Sequence, residues 1–174
     1  MSDCIEAGIS RLAGPAEARP TSVQELTEGE RLVLWAFRRW VGGPEHLPML
    51  AREFDRQFRR DDARPALVTL DAALTALSRK ARRTIVYHQP CCACLGADEV
   101  CFLSIVAAAQ SGAGNAARAM ANWLVRSDGV DAFLRPLDDF AEYLSGSGHD
   151  LPYRTAPSAE ARHYAAPRAA LQVH

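Results

Sequence analysis

The chain has 174 residues, a formal net charge of −1 and 48% hydrophobic residues. That length suits one domain and can bury a core without disulfide support. The charge balance gives no electrostatic reason to expect nucleic acid or membrane as a partner, and no stretch has the length of a membrane span. The N-terminus carries Asp3 and Glu6 and lacks an apolar run of signal-peptide length, so a cytoplasmic location is expected.

Residues 1–26 mix Gly, Pro, Ala and charge with little periodicity, which predicts a mobile arm with at most one helical turn. Thr27-Glu28-Gly29-Glu30 forms a capping box. The helix it starts should run to about Val41, with Val33, Phe37, Trp40 and Val41 inward and Gly42-Gly43 ending it. Trp35 falls off that stripe, beside Arg31, Arg38 and Arg39. Leu47, Leu50, Ala51, Phe54 and Phe58 predict a second amphipathic helix to about Arg60, its charged face solvated. Leu67, Leu70, Leu74, Leu77 and Ala81 mark a third, which ends in the basic cluster Arg79, Lys80, Arg82 and Arg83. Cations there complement the helix dipole; near a thiol they would also favour the thiolate.

Thr84 to Tyr87 is β-branched and aromatic and should be extended. Asp98 suits the N-cap of the next helix, which would place Cys101 at its third position. Val100 to Ala109 is apolar on all sides, so it should be the buried central helix. A helix from about Asn115 to Arg126 follows, in hairpin with it. The last helix should start at Ser127 or Asp128 and run to about Leu144, kinked or broken into two at Pro136. Beyond Ser145 the periodicity ends, and His149, His163 and His174 carry no assigned role. The fold expected is all-α: a single domain over 27–145 with about six helices packed around a buried central one, and disordered tails over 1–26 and 146–174.

Chemistry concentrates at His88-Gln89-Pro90-Cys91-Cys92-Ala93-Cys94, with Cys101 close behind. Four of the five cysteines lie here, and Cys4 is the fifth. Cys91 and Cys94 have the C-x-x-C spacing of zinc knuckles and dithiol redox sites. His88 can reach the same point, and Cys101 can approach from the facing helix. Cys92 points away from Cys91 in extended chain and would replace it or pair with Cys4.

The candidate metal ligands are therefore His88, Cys91, Cys92, Cys94 and Cys101, for zinc or an iron–sulfur cluster. The spacing matches neither common ferredoxin pattern. A metal-free thiol switch is the alternative, and purely structural cysteines filling a helix joint are the plainest one. No phosphate loop, nucleophile elbow or zinc-protease motif is present. The leading expectation is a non-enzymatic cytoplasmic protein that binds a metal or senses redox state through this loop and acts on a protein partner or a second copy. The rivals are a dithiol oxidoreductase using Cys91 and Cys94, and a helical interaction module.

Overall fold

The computed structural model describes residues 20–154. Cys4, His163 and His174 lie outside the described residues. Six α-helices account for most of what is described: α1 (Glu28–Val41), α2 (Leu47–Gln57), α3 (Ala63–Lys80), α4 (Ala97–Gln110), α5 (Gly114–Leu124) and α6 (Val130–Gly146). Short 3-10 turns at Val23–Glu25, Pro44–His46 and Ser127–Gly129 join or precede them. The all-α single domain is as expected. No helix among the described residues is long and apolar enough to cross a membrane.

Local chemistry explains the helix starts. The Thr27 hydroxyl accepts from the Glu30 amide at 3.2 Å, and the Glu30 carboxylate accepts from the Thr27 amide at 2.8 Å. Both halves of the capping box close, which stabilises the first turn of α1. α2 ends at Gln57 because Phe58 turns extended. Phe58 is nevertheless buried, with its ring 4.8 Å from that of Phe54 and 6.4 Å from that of Phe140.

α4 buries Phe102, Leu103, Ile105, Val106, Ala107 and Ala108 and packs against α1, α5 and α6. α3 lies mainly on α6. α6 passes through Pro136 as one helix and does not break in two. Phe133, Leu134, Leu137 and Phe140 on both sides of the proline are all buried, so packing outweighs the one missing backbone hydrogen bond.

The packed body reaches past both boundaries that periodicity suggested. Upstream, Leu26 is buried and Val23 packs on the core. Downstream, His149 Nε2 donates to the Gln57 carbonyl at 2.9 Å, and its ring stands 5.8 Å from that of Phe58. Gln110 accepts from the Leu151 amide at 2.8 Å and donates to the His149 carbonyl at 2.9 Å, while the Arg154 guanidinium pairs with Glu30. This segment crosses α1 at Gly29, where a Cβ would lie 3.2 Å from the His149 backbone. Irregular segments held by polar contacts to distant helices carry no periodicity, so the stripe analysis missed them.

Candidate functional site

The cysteine loop is built around one buried ion pair. Arg38 of α1 and Glu99 of α4 meet with Nε 2.7 Å from Oε1 and Nη2 3.0 Å from Oε2, and their side chains are 3% and 0% exposed. The remaining guanidinium hydrogens go to the loop backbone: Nη1 donates to the Cys92 carbonyl at 2.7 Å, and Nη2 to the Cys94 carbonyl at 2.7 Å. Glu99 accepts the His88 amide at 3.0 Å and the Gly96 amide at 2.7 Å. Two charges thus satisfy polar groups along the whole loop, as burial requires. Burial works against the Glu99 charge. Hydrogen bonding from Arg38 and the amides of His88 and Gly96, with the Arg38 charge, outweighs it and holds the carboxyl below the usual glutamate range.

A pH dependence follows. Because the folded-state pKa of Glu99 is depressed, its stabilisation is full above the unfolded value of about 4.3 and is lost as pH falls through the folded value. Urea unfolding between about pH 7 and about pH 3 should show a smaller acid loss for Glu99→Gln than for the parent. Equal acid losses in the two proteins would contradict the assignment.

The start of α4 differs from the expectation. The N-cap is Gly96, not Asp98. Asp98 sits buried in the first turn, where Arg83 donates to its two oxygens at 2.7 and 2.6 Å and the Val86 amide donates at 2.8 Å. The extended segment after α3 carries these donors to the helix start, and they outcompete capping. Cys101 becomes the fifth residue of α4, beyond the first turn in which the dipole acts. Its Sγ lies 3.8 Å from the Met120 carbonyl of α5.

The basic cluster disperses. Arg83 binds Asp98 and lies within electrostatic range of Cys101, and its pKa is raised chiefly by the Asp98 hydrogen bond. Lys80 binds Asp128 at 2.8 Å. The guanidinium inside the cysteine loop comes instead from α1.

The thiol interaction within the loop is between Cys92 and Cys94. The Cys92 amide donates to the Gln89 carbonyl at 2.9 Å, which closes a turn with Cys91 near its tip. Beyond the turn, Cys94 bridges to Ser22 in antiparallel fashion, and Cys92 and Cys94 lie within interaction range of each other. Hydrogen bonding of the Cys94 thiol to Cys92, the charge of a Cys92 thiolate and burial push the Cys94 thiol up, against the Arg38 charge. Cys91 and Cys94 are exposed, Cys92 is half-buried, and no disulfide links Cys91, Cys92, Cys94 or Cys101 to another of them.

His88 Nδ1 lies 3.1 Å from Glu99 Oε2. A carboxylate can only accept, so Nδ1 carries the hydrogen in this contact. Among the described residues, no group of three or more His, Cys, Asp or Glu side chains is placed to hold a metal ion. The five candidate ligands thus divide into a Cys92–Cys94 pair, an outlying Cys91, a His88 oriented by Glu99, and a Cys101 turned toward α5.

A mostly apolar cavity of about 290 Å³ lies beside the lead-in to the loop, between Phe37 and Trp40 of α1, Leu74 and Leu77 of α3, and Ile85 and Tyr87. Comparison with protein-family models, curated proteins and solved structures finds no match.

Sequence reasoning missed Arg38 and Glu99 as the organising pair. One signal was present, a glutamate directly before the most apolar segment; Arg38 lies off the predicted stripe of α1 and gave none. A glutamate is costly to bury alone, so a partner was the economical explanation.

Proposed function

We propose that this is a non-enzymatic cytoplasmic protein whose cysteine loop reports redox state, with Cys92 and Cys94 as the responding dithiol and a protein partner reading the result. One observation carries it: the two adjoining thiols belong to the residues whose carbonyls share the Arg38 guanidinium at 2.7 Å. A change in bonding between the sulfurs therefore pulls on the Arg38–Glu99 pair that joins α1 to α4.

The step balances with a disulfide such as glutathione disulfide as oxidant. Either thiolate of the pair can begin the attack; the step is written here from Cys92. Cys92 forms a mixed disulfide and releases one thiolate. Cys94, on losing its proton, displaces the second. The protein loses two protons and two electrons, one S–S bond forms, and the oxidant leaves as two thiols.

Thiol trapping over a glutathione redox series, with peptide mass mapping, tests this. A single Cys92–Cys94 disulfide is expected, abolished by Cys92→Ser and retained in Cys91→Ser. A disulfide that requires Cys91 overturns the pairing, and no disulfide at any poise overturns the redox reading.

A second reading keeps zinc or an iron–sulfur cluster. What favours it is His88, whose Nδ1 contact with Glu99 is the arrangement that orients metal-binding histidines. Metal would then need His88 Nε2 and the thiols of Cys91, Cys92, Cys94 or Cys101 to be drawn together by loop rearrangement. Metal and sulfide analysis of protein purified without oxygen decides between the readings: stoichiometric metal, lost in His88→Ala, supports this one.

A further inference from the structure

We infer that the segment from Pro20 to Leu26 is a strap docked on the cysteine loop, and that the bonding state of Cys92 and Cys94 controls whether it stays docked. This rests on the dithiol reading above.

The strap's contacts fall on the loop's reactive stretch. The Val23 amide donates to the Ala93 carbonyl at 2.8 Å, and the Leu95 amide donates to the Thr21 carbonyl at 3.2 Å. Between these bonds Ser22 faces Cys94 in an antiparallel bridge. The strap is braced locally: Glu25 accepts from the Thr21 amide and hydroxyl at 3.0 Å each, and Ser22 Oγ accepts from the Gln24 amide at 3.2 Å. It is anchored at its far end by buried Leu26, whose carbonyl accepts from Arg31 at 2.6 Å. At the loop end, the hydrogen bonds to Ala93 and Leu95 are what join strap to loop backbone.

The acceptor in the first of those bonds belongs to the residue between the two thiols. An extended stretch separates residues two apart by up to about 7 Å. A disulfide usually sets Cα atoms about 4.4–6.8 Å apart, most often about 5.5–6 Å. Joining Cys92 to Cys94 thus shortens the backbone at Ala93. The carbonyls of Cys92 and Cys94 are both held by Arg38, so the peptide left to rotate is the one bearing the Ala93 carbonyl. That rotation withdraws the acceptor from the Val23 amide. The reduced loop holds the strap and the oxidised loop releases it. By linkage, the docked strap must in turn favour the dithiol over the disulfide.

Amide hydrogen exchange on the full chain, reduced and oxidised, tests this. The Val23 and Leu95 amides should exchange about tenfold faster in the disulfide form, near the low end of usual coupling between sites, while amides of α6 are unchanged. Cys92→Ser should keep them protected under the same oxidant. Val23→Pro removes the donor without touching a thiol. It should make the disulfide about tenfold easier to form, a midpoint about 30 mV more negative. Val23→Ala keeps the amide and controls for lost packing, so its midpoint should stay near that of the parent. If the disulfide forms but Val23 and Leu95 stay equally protected, or Val23→Pro leaves the midpoint in place, the strap inference falls and the dithiol switch stands. If no Cys92–Cys94 disulfide forms, both fall.

Discussion

Arg38→Met unfolds about 3–5 kcal/mol more easily than the parent protein, the usual cost of removing one partner from a buried ion pair. Three losses act together. Glu99, fully buried, keeps its charge in a site that no longer holds a counter-charge. The carbonyls of Cys92 and Cys94 each lose a donor at 2.7 Å. The α1–α4 junction loses its polar tie. Methionine is about as long as the arginine stem, so the loss is one of charge and hydrogen bonding more than of volume. Urea unfolding at neutral pH measures it, and a change below about 1 kcal/mol, the range of an exposed pair, would refute the central role given to Arg38. The double variant Arg38→Met with Glu99→Gln should cost less than the two single changes summed, because the second removes the orphaned charge created by the first.

Phe102→Ala should cost about 3–5 kcal/mol, in the range for a large aromatic removed from a closed core. The Phe102 side chain is 1% exposed, with its ring 4.9 Å from that of Phe37 and 6.4 Å from that of Phe133. It therefore joins α4 to both α1 and α6. Phe37 directly precedes Arg38, and Phe102 lies three residues after Glu99. The ring contact and the ion pair are thus two parts of one α1–α4 interface. Loosening the rings should loosen the ion pair, so Phe102→Ala should also speed alkylation of Cys92 and Cys94. Phe102→Leu should cost clearly less than Phe102→Ala, since it leaves the smaller cavity. A Phe102→Ala protein that loses stability with unchanged thiol reactivity would show that the two contacts are independent.

Most of the architecture was legible because it is written in local pattern. The capping box at Thr27 closes as its residue types require. The α6 stripe coincides with its buried face, those of α1, α2 and α3 do so in part (Leu47 is exposed, and α1 also buries Leu34 and Arg38), and the apolar run from Val100 to Ala109 buries Phe102, Leu103 and Ile105 to Ala108. Errors at element ends share a cause. Asp98 is a good N-cap by type, but Arg83 and the Val86 amide claim its oxygens. At Pro136, inside α6, a kink or a break was expected, and buried neighbours on both sides keep the helix from breaking.

The site was legible in place but not in geometry. Clustering of cysteines between Cys91 and Cys101 pointed to the loop that Arg38 and Glu99 hold. The C-x-x-C spacing emphasised Cys91 and Cys94, whereas the turn at Gln89–Cys92 puts Cys92 beside Cys94 and leaves Cys91 at the tip. That follows from backbone direction, which spacing alone does not encode.

The sequence by itself determined that the chain is all-α, where its helices lie, much of the apolar core, and that four of its thiols cluster in one connector. Periodicity and capping are near-neighbour properties, so they survive without coordinates. Only the tertiary structure decided that Arg38, sixty-one residues from Glu99, reaches through the core to hold that connector, and that Thr21 and Val23 lie across it. These are contacts between residues far apart in the chain, made by charge neutralisation and backbone hydrogen bonding. Neither leaves a repeat for the sequence to display.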